Sequence, residues 1–428
     1  MKNGIKQLRS YLLLWSTQSL SALGSSMTGY ALGLWLYSST GSALRTALLS
    51  VCSYAPYVMM SIFAGALSNR WNKKCTMLVC DLLAACTTAA AFLLITVNVL
   101  RPWHLYLINA LNGLMNTVQQ PASEVAATQL IPKKYYQQTG ALRSFSQSMN
   151  TILTPVLATM LFAFGGLPTV IYVDLITFAA AFVSLLLFIR IPEPKTAEKV
   201  GESVISSAKE GLSWLKGNPL ILKLIFFLAG INLIASANGA AVSPMILSRA
   251  AGGKAVLGSV NFCIGIATLA GTFIASSTPA PKNRIKAICL SLFFSMSTEN
   301  FILAFSDSPV IWCGGAVLGW LFIPYMGANL DVILRSSIPA EMQGRVYACR
   351  NSLQFFTIPI GGIAGGALID RYFEPLMSRQ TGGSSLISLF GSEKGSGAAM
   401  FFAFLGFAGV AVCVVFTILL RKELRSDV

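Results

Sequence analysis

The chain has 428 residues, of which 54% are hydrophobic and 11% charged, with a mean hydropathy of +0.67. A soluble chain of this size carries about a quarter charged residues, so an ordinary water-soluble domain is excluded. The formal charge of +15 does not point to nucleic acid, because the bases lie between apolar runs and no basic stripe with interleaved aromatics occurs.

The apolar runs fall at 11–37, 43–68, 75–98, 103–130, 137–164 and 167–190, then at 219–247, 255–277, 285–306, 309–334, 343–370 and 397–420. Each is long enough to cross a bilayer as a helix. Only helices and closed barrels satisfy their backbone groups in lipid, and these runs are too long for barrel strands. The pattern predicts an all-α polytopic membrane protein with twelve transmembrane helices. The first run is expected to be a retained helix and not a signal peptide, since no small-residue cleavage site follows a short core.

Arg190–Asn218 is the longest polar interval and falls near the midpoint. It divides the chain into a bundle over 1–190, a cytoplasmic linker over 191–218 and a bundle over 219–428. Within the linker, Ile205, Ala208, Leu212 and Leu215 recur at helical spacing, which predicts an amphipathic helix on the inner membrane face. Arg371–Ser396 is rich in Gly and Ser and reads as a flexible outer loop.

Orientation follows from the bases. With the N-terminus inside, twenty-one Lys and Arg lie in cytoplasmic positions against seven outside: Arg45, Arg101, Arg249, Lys254, Arg371, Arg379 and Lys394. Both termini are therefore expected in the cytoplasm of a cell-membrane protein. The nine cysteines fall in or beside apolar runs and read as packing residues. His104 is the single histidine, which excludes a multi-histidine metal site, and no cofactor is expected.

The halves echo each other. Pro132, Arg143, Gln147 and Glu124 recur as Pro339, Arg350, Gln354 and Asp331, all at an offset of 207. Duplicated six-helix bundles around a central axis form a transporter architecture, with the substrate site near the midplane.

Gly65-Ala66-Leu67-Ser68-Asn69-Arg70-Trp71-Asn72-Lys73-Lys74 resembles the helix 2–3 loop signature of the major facilitator superfamily, carried here by Gly65, Asn69 and Arg70. Ile338-Pro339-Ala340-Glu341-Met342-Gln343-Gly344-Arg345-Val346 resembles the helix 10–11 loop of its macrolide-efflux and enterobactin-exporter branch, as does Glu210-Gly211-Leu212 with Trp214-Leu215 and Asn218-Pro219. The resemblance covers essentially the whole chain and implies two pseudo-symmetric six-helix bundles. The family's loop usually carries an aspartate where this chain has Asn69, an acid that faces a helix end and latches the conformation. The antiporter arginine of helix 4 is missing, and the glycine-proline motif of helix 5 is reduced to Thr154-Pro155. Pro359-Ile360-Gly361-Gly362 with Gly365-Gly366 in helix 11 resembles it better.

Polar residues at spacings of three, four and seven form stripes on single helix faces. The candidates for a substrate cavity are Gln18, Ser25, Asn112, Asn116, Gln147, Asn150, Asn232, Ser236 and Gln354. Such stripes either line a watered cavity or hydrogen-bond neighbouring helices. Trp15, Tyr30, Tyr54, Tyr57, Trp320 and Tyr325 would either add aromatic surface to a cavity or serve packing and interface anchoring. Glu124, Arg143, Asp331 and Arg350 are the intramembrane charges near the cytoplasmic side. They pair either across the halves, Glu124 with Arg350 and Asp331 with Arg143, as an inner gate, or within each half as scaffold. Asp174 and Glu299 are the deepest carboxylates and the candidates for proton coupling. Asp81 reads as scaffold at the inner end of helix 3.

These features predict a secondary active exporter of hydrophobic or amphipathic compounds of the macrolide or drug type, working as a monomer by alternating access with proton coupling. The alternative is a siderophore, lysolipid or nutrient transporter of the same fold. No HExxH, GxSxG or Walker A motif occurs, so neither an enzyme nor an ATP-driven pump is expected.

Overall fold

The computed structural model describes residues 2–70, 72–131, 136–191, 204–339, 342–380 and 384–421. The elements are helices, and no strand occurs among the described residues. They form two compact units.

The first unit comprises Met1–Trp35 and Cys52–Ser207. It holds most of α1 (Lys2–Thr40) and α2 (Ala43–Arg70), then α3 (Lys73–Thr96), α4 (Pro102–Leu130) and α5 (Tyr136–Val183). Asn72 caps α3 by accepting from the Cys75 amide at 2.8 Å. Inside α5 the path turns at Gly165 and Gly166, so α5 is two helices in sequence. Gly166 has φ +68, a conformation open to glycine and costly for other residues. Its core joins Leu14, Met77, Ala122, Ala126, Leu185 and Ile189, all buried. Lys74 Nζ ties α3 to the chain after α5, donating to the Leu186 and Ile189 carbonyls at 2.9 and 2.8 Å.

The second unit comprises Leu36–Val51 and Ala208–Val428. After α6 (Val204–Gly217) come α7 (Pro219–Ser248), α8 (Lys254–Ser277), α9 (Arg284–Ala304), α10 (Pro309–Leu321) and α11 (Ile323–Ser337). Then follow α12 (Gln343–Phe355), α13 (Thr357–Leu368), α14 (Glu374–Ser378), α15 (Ser385–Phe390) and α16 (Ser396–Leu419). The runs predicted over 309–334 and 343–370 are each broken once, at Phe322 and Phe356. Pro324 and Pro359 supply the reason: without an N–H, each leaves the carbonyl four residues earlier without its helical donor. Glycines bring α13 onto α7. A Cβ on Gly365 would lie 2.8 Å from Ala237 Cα, and one on Gly361 would collide with the Leu233 backbone.

Eight helical stretches among the described residues are long and apolar enough to cross a membrane, and one of them, Phe145–Phe188, contains the Gly165–Gly166 turn. Helices α1, α2 and α4 add 39, 28 and 29 residues, more than the roughly twenty that a crossing needs.

One local expectation is corrected. Arg371–Ser396 is not an unstructured loop where it is described: it contains α14 and α15, with Met377, Phe390 and Ser396 buried. Buried Arg249 organises it, donating to the Phe390 carbonyl at 2.5 Å and pairing with Asp307, while Glu374 and Glu393 accept from the Ala398 and Ala250 amides. The Gly and Ser content hid these polar anchors. In the linker, α6 forms; the side chains of Ile205 and Ala208 lie outside the described residues, Gly211 and Leu215 are buried, and Leu212 is exposed. Gly211 sits against the Arg345 carbonyl and Cys349 Sγ, and Glu210 pairs with Arg345. The helix therefore packs on α12, with Gly211 as a contact that a purely apolar stripe omits.

Candidate functional site

The first unit encloses a cavity of about 650 Å³. Its walls are built from α1, α3, α4 and α5. One stripe of α1 knits that helix to α5. Tyr11 donates to the Thr139 carbonyl at 3.3 Å and Trp15 to the Leu142 carbonyl at 3.2 Å. Ser19 bonds Ser146 at 2.8 Å, and Asn150 Nδ2 donates to Ser26 Oγ at 3.0 Å. The spacing of four between Tyr11, Trp15 and Ser19 follows the helical period. The neighbouring stripe, Gln18 and Ser25, turns to two carboxylates.

Asp81 on α3 accepts from Gln18 Nε2 at 3.2 Å and from Gln119 Nε2. Asp174, in the second half of α5, is 3% exposed, and its Oδ1 accepts from Ser25 Oγ at 3.0 Å. Its Oδ2 makes no hydrogen bond of good geometry among the described residues, although the Thr28 hydroxyl lies close enough to interact with the carboxylate. Gly24 makes room for this carboxylate: a Cβ there would lie 3.0 Å from Asp174 Oδ1. The remaining polar wall is rich in carboxamides, with Asn109, Asn112, Asn116, Gln120, Gln147 and Asn150 joining Gln18 and Gln119, and Arg143 adds one cation. Such a wall offers donors and acceptors in pairs.

Gln18, Ser25, Asn112, Asn116, Gln147, Asn150, Arg143 and Asp174 thus lie around one cavity. Asn232, Ser236 and Gln354 lie elsewhere, in the second unit. Asn232 donates to the Gln354 carbonyl at 3.1 Å, Ser236 to the Ile358 carbonyl at 2.7 Å, and Gln354 Oε1 accepts from Arg350 at 3.0 Å. Those side chains join α7 to α12 and α13. Asp331 is exposed and within electrostatic reach of Arg350, an arrangement inside one half. Glu299 is buried between α9 and α10, where Trp320 Nε1 donates to it at 3.2 Å and Gly319 gives it space. The surroundings of Glu124, Gly65, Asn69 and Arg70 lie outside the described residues, although their backbones belong to α4 and α2.

Asp81, read from the sequence as scaffold, accepts from Gln18 and Gln119 and also faces the cavity. The available signal was the run Asp81, Ala84, Ala85 and Thr88, which puts small residues beside an acid on one helix face. Of the aromatics proposed for a cavity, Trp15 lines this one, and its wall is otherwise more amide than aromatic.

A sequence profile described as Major Facilitator Superfamily matches residues 14–362. The chain belongs to this superfamily. It is 22% identical over 367 residues to macrolide efflux protein A of Streptococcus pyogenes, covering 84% of this chain and 89% of the relative. It is also 22% identical over 359 residues to the enterobactin exporter EntS of Escherichia coli O1:K1, covering 82% of each. Among solved structures, a bacterial homologue of the human lysosomal transporter Spinster, inward-facing and occupied, superposes with a TM-score of 0.70 at 14% identity and 98% coverage of both chains. That likeness shows the fold. The protein is a multi-pass cell-membrane transporter of a small-molecule substrate, not an enzyme.

Proposed function

We propose that this transporter exports amphipathic, drug-like compounds by alternating access, with both termini inside, the halves 1–190 and 219–428 as its moving parts, and protons as the coupling ion. The single observation that carries the reading is Asp174: a carboxylate buried in a cavity wall, held among the described residues by hydroxyl groups and by no cation. An ionised carboxylate in that position is costly unless neutralised. Taking up and releasing a proton there, or exchanging it for a basic group of the substrate, gives the cavity two states of different charge. The amide-lined wall suits a compound with many oxygen and nitrogen groups on an apolar frame. The likeness to macrolide efflux protein A supports the drug class. The enterobactin exporter likeness supports a second reading, export of a siderophore-type compound rich in acceptors.

The test is accumulation of a labelled macrolide, a catecholate siderophore and a lipophilic dye in a host without its own pumps, with and without protonophore. The transporter should lower accumulation, and the protonophore should restore it. Asp174→Asn should lose about tenfold or more of the export rate while reaching the membrane at normal levels, the scale of a lost charge-dependent interaction. Export that survives protonophore and Asp174→Asn unchanged would remove proton coupling at this residue. Siderophore export without macrolide export would select the second reading.

A further inference from the structure

Residues 65–70 read Gly-Ala-Leu-Ser-Asn-Arg, and residues 366–371 read Gly-Ala-Leu-Ile-Asp-Arg. The first copy ends α2. The second spans the end of α13 and the π-helical turn Ile369–Phe373. The acid absent at Asn69 is present at Asp370, and its environment shows what it does.

Asp370 caps α2 from a distant part of the chain. Its Oδ1 accepts from the Ala43 amide at 3.0 Å, and its Oδ2 from the Leu44 amide at 3.0 Å and from Ser42 Oγ at 2.5 Å. Ala43 and Leu44 are the first two residues of α2, so the carboxylate satisfies donors that a helix start leaves open and lies against the positive end of its dipole. Bonds of this charge-assisted kind are the strong ones. The turn before it is tight: Gly41 has φ +64, and α1 ends at Thr40.

Other contacts hold the same segment. Tyr37 donates to the Pro244 carbonyl at 3.2 Å and bonds Ser248 Oγ at 2.7 Å, both at the end of α7. A Cβ on Gly366 would lie 2.6 Å from Leu44 Cα, and one on Gly362 would lie 3.2 Å from Val51 Cγ2. Leu36–Val51 accordingly belongs to the second unit, whereas α1 up to Trp35 and α2 from Cys52 belong to the first.

From this geometry we infer that Asp370 is a latch residue of the transport cycle, holding the α1–α2 turn on the second unit in one state and releasing it in the other. The inference rests on the alternating-access reading. Helices α1 and α2 cross from one unit to the other, so motion between the units must pull Leu36–Val51 from its seat or bend both helices beside it. The charge count places this turn outside, on the opposite membrane side from the Asn69 copy. Of the two stretches, only this one carries the acid.

The test needs no transport. In a cysteine-free background, Val51→Cys reports on the seat, since Val51 is 8% exposed and packs on Gly362. Its labelling by a membrane-impermeant maleimide should quicken about tenfold in Asp370→Asn, the scale set by one charge-assisted hydrogen bond, and Asp370→Glu should recover part of the protection. Should Asp370→Asn fail to reach the membrane, Gly366→Leu wedges the same contact without touching the charge and should give the same acceleration. A control cysteine at buried Ala316, in α10, should stay slow. Unchanged labelling at Val51→Cys in these variants overturns the latch, as does equal acceleration at the control. No export by the unaltered chain, with labelling as predicted, would overturn the functional reading and leave the latch standing.

Discussion

Gln147 and Gln354 stand at the same offset of 207 as the rest of the repeat, yet they live in different surroundings. Gln147 is exposed on the cavity wall of the first unit. Gln354 is 6% exposed, with its side chain bonded to Arg350 and its carbonyl taken by Asn232 and Thr357. The residues that follow explain the difference. Four glycines, Gly361, Gly362, Gly365 and Gly366, bring α13 close to its neighbours, and at the same offset α5 has Thr154, Pro155, Ala158 and Thr159. Where Cβ atoms are missing, side chains reach the opposite helix's carbonyls. Along α5, Tyr11 and Trp15 of α1 reach carbonyls only near its start, Ser19 and Ser26 then meet Ser146 and Asn150 side chain to side chain, and room for a cavity remains. Similar polar stripes therefore make a seam in one unit and a wall in the other.

The comparison can be broken most sharply at the glycines. Gly365→Val should overpack the seam and cost about 2 kcal/mol or more, read as a lowered midpoint in thermal unfolding in detergent. A midpoint equal to wild type would mean that close approach is not what holds α13 to α7.

A smaller effect separates two asparagines. Asn232→Ala should lower stability by about 0.6 kcal/mol, the usual worth of one interhelical bond in a membrane. Asn116→Ala, with no hydrogen bond to lose among the described residues, should change stability by less than about 0.5 kcal/mol but raise the substrate concentration needed for half-maximal export. Equal stability loss in both would erase the distinction between seam and wall.

The smallest effect has the opposite sign. Gly29 lines the cavity with nothing within 4 Å of an added Cβ. Gly29→Ala should therefore be neutral or stabilise α1 by a few tenths of a kcal/mol, up to about 1. A clear loss of stability there would show that the cavity wall is filled.

Much of the fold was legible because membrane crossing imposes length and apolarity on each helix. The runs, the turn at Gly165–Gly166 and the linker helix could all be read in one dimension. The first-unit cavity residues were legible for a related reason: a polar stripe on a long apolar helix has to face something other than lipid. The same rule could not tell cavity from seam, which is why Gln18 and Asn232 looked alike. The contacts of Asp81 could not be read because Gln18 and Gln119 come from two other helices. The cap over 371–396 was misread because one arginine, Arg249, contributed by the end of α7, organises it.

The sequence by itself determined a helical membrane transporter with duplicated halves, since hydropathy, base distribution and repeat spacing are properties of the chain read along its length. Only the tertiary structure decided which acids meet which helices. Asp174 against Ser25, and Asp370 on the start of α2, join residues 149 and more than 300 positions apart. Hydrogen bonds act over about 3 Å, and packing alone brings such distant positions that close.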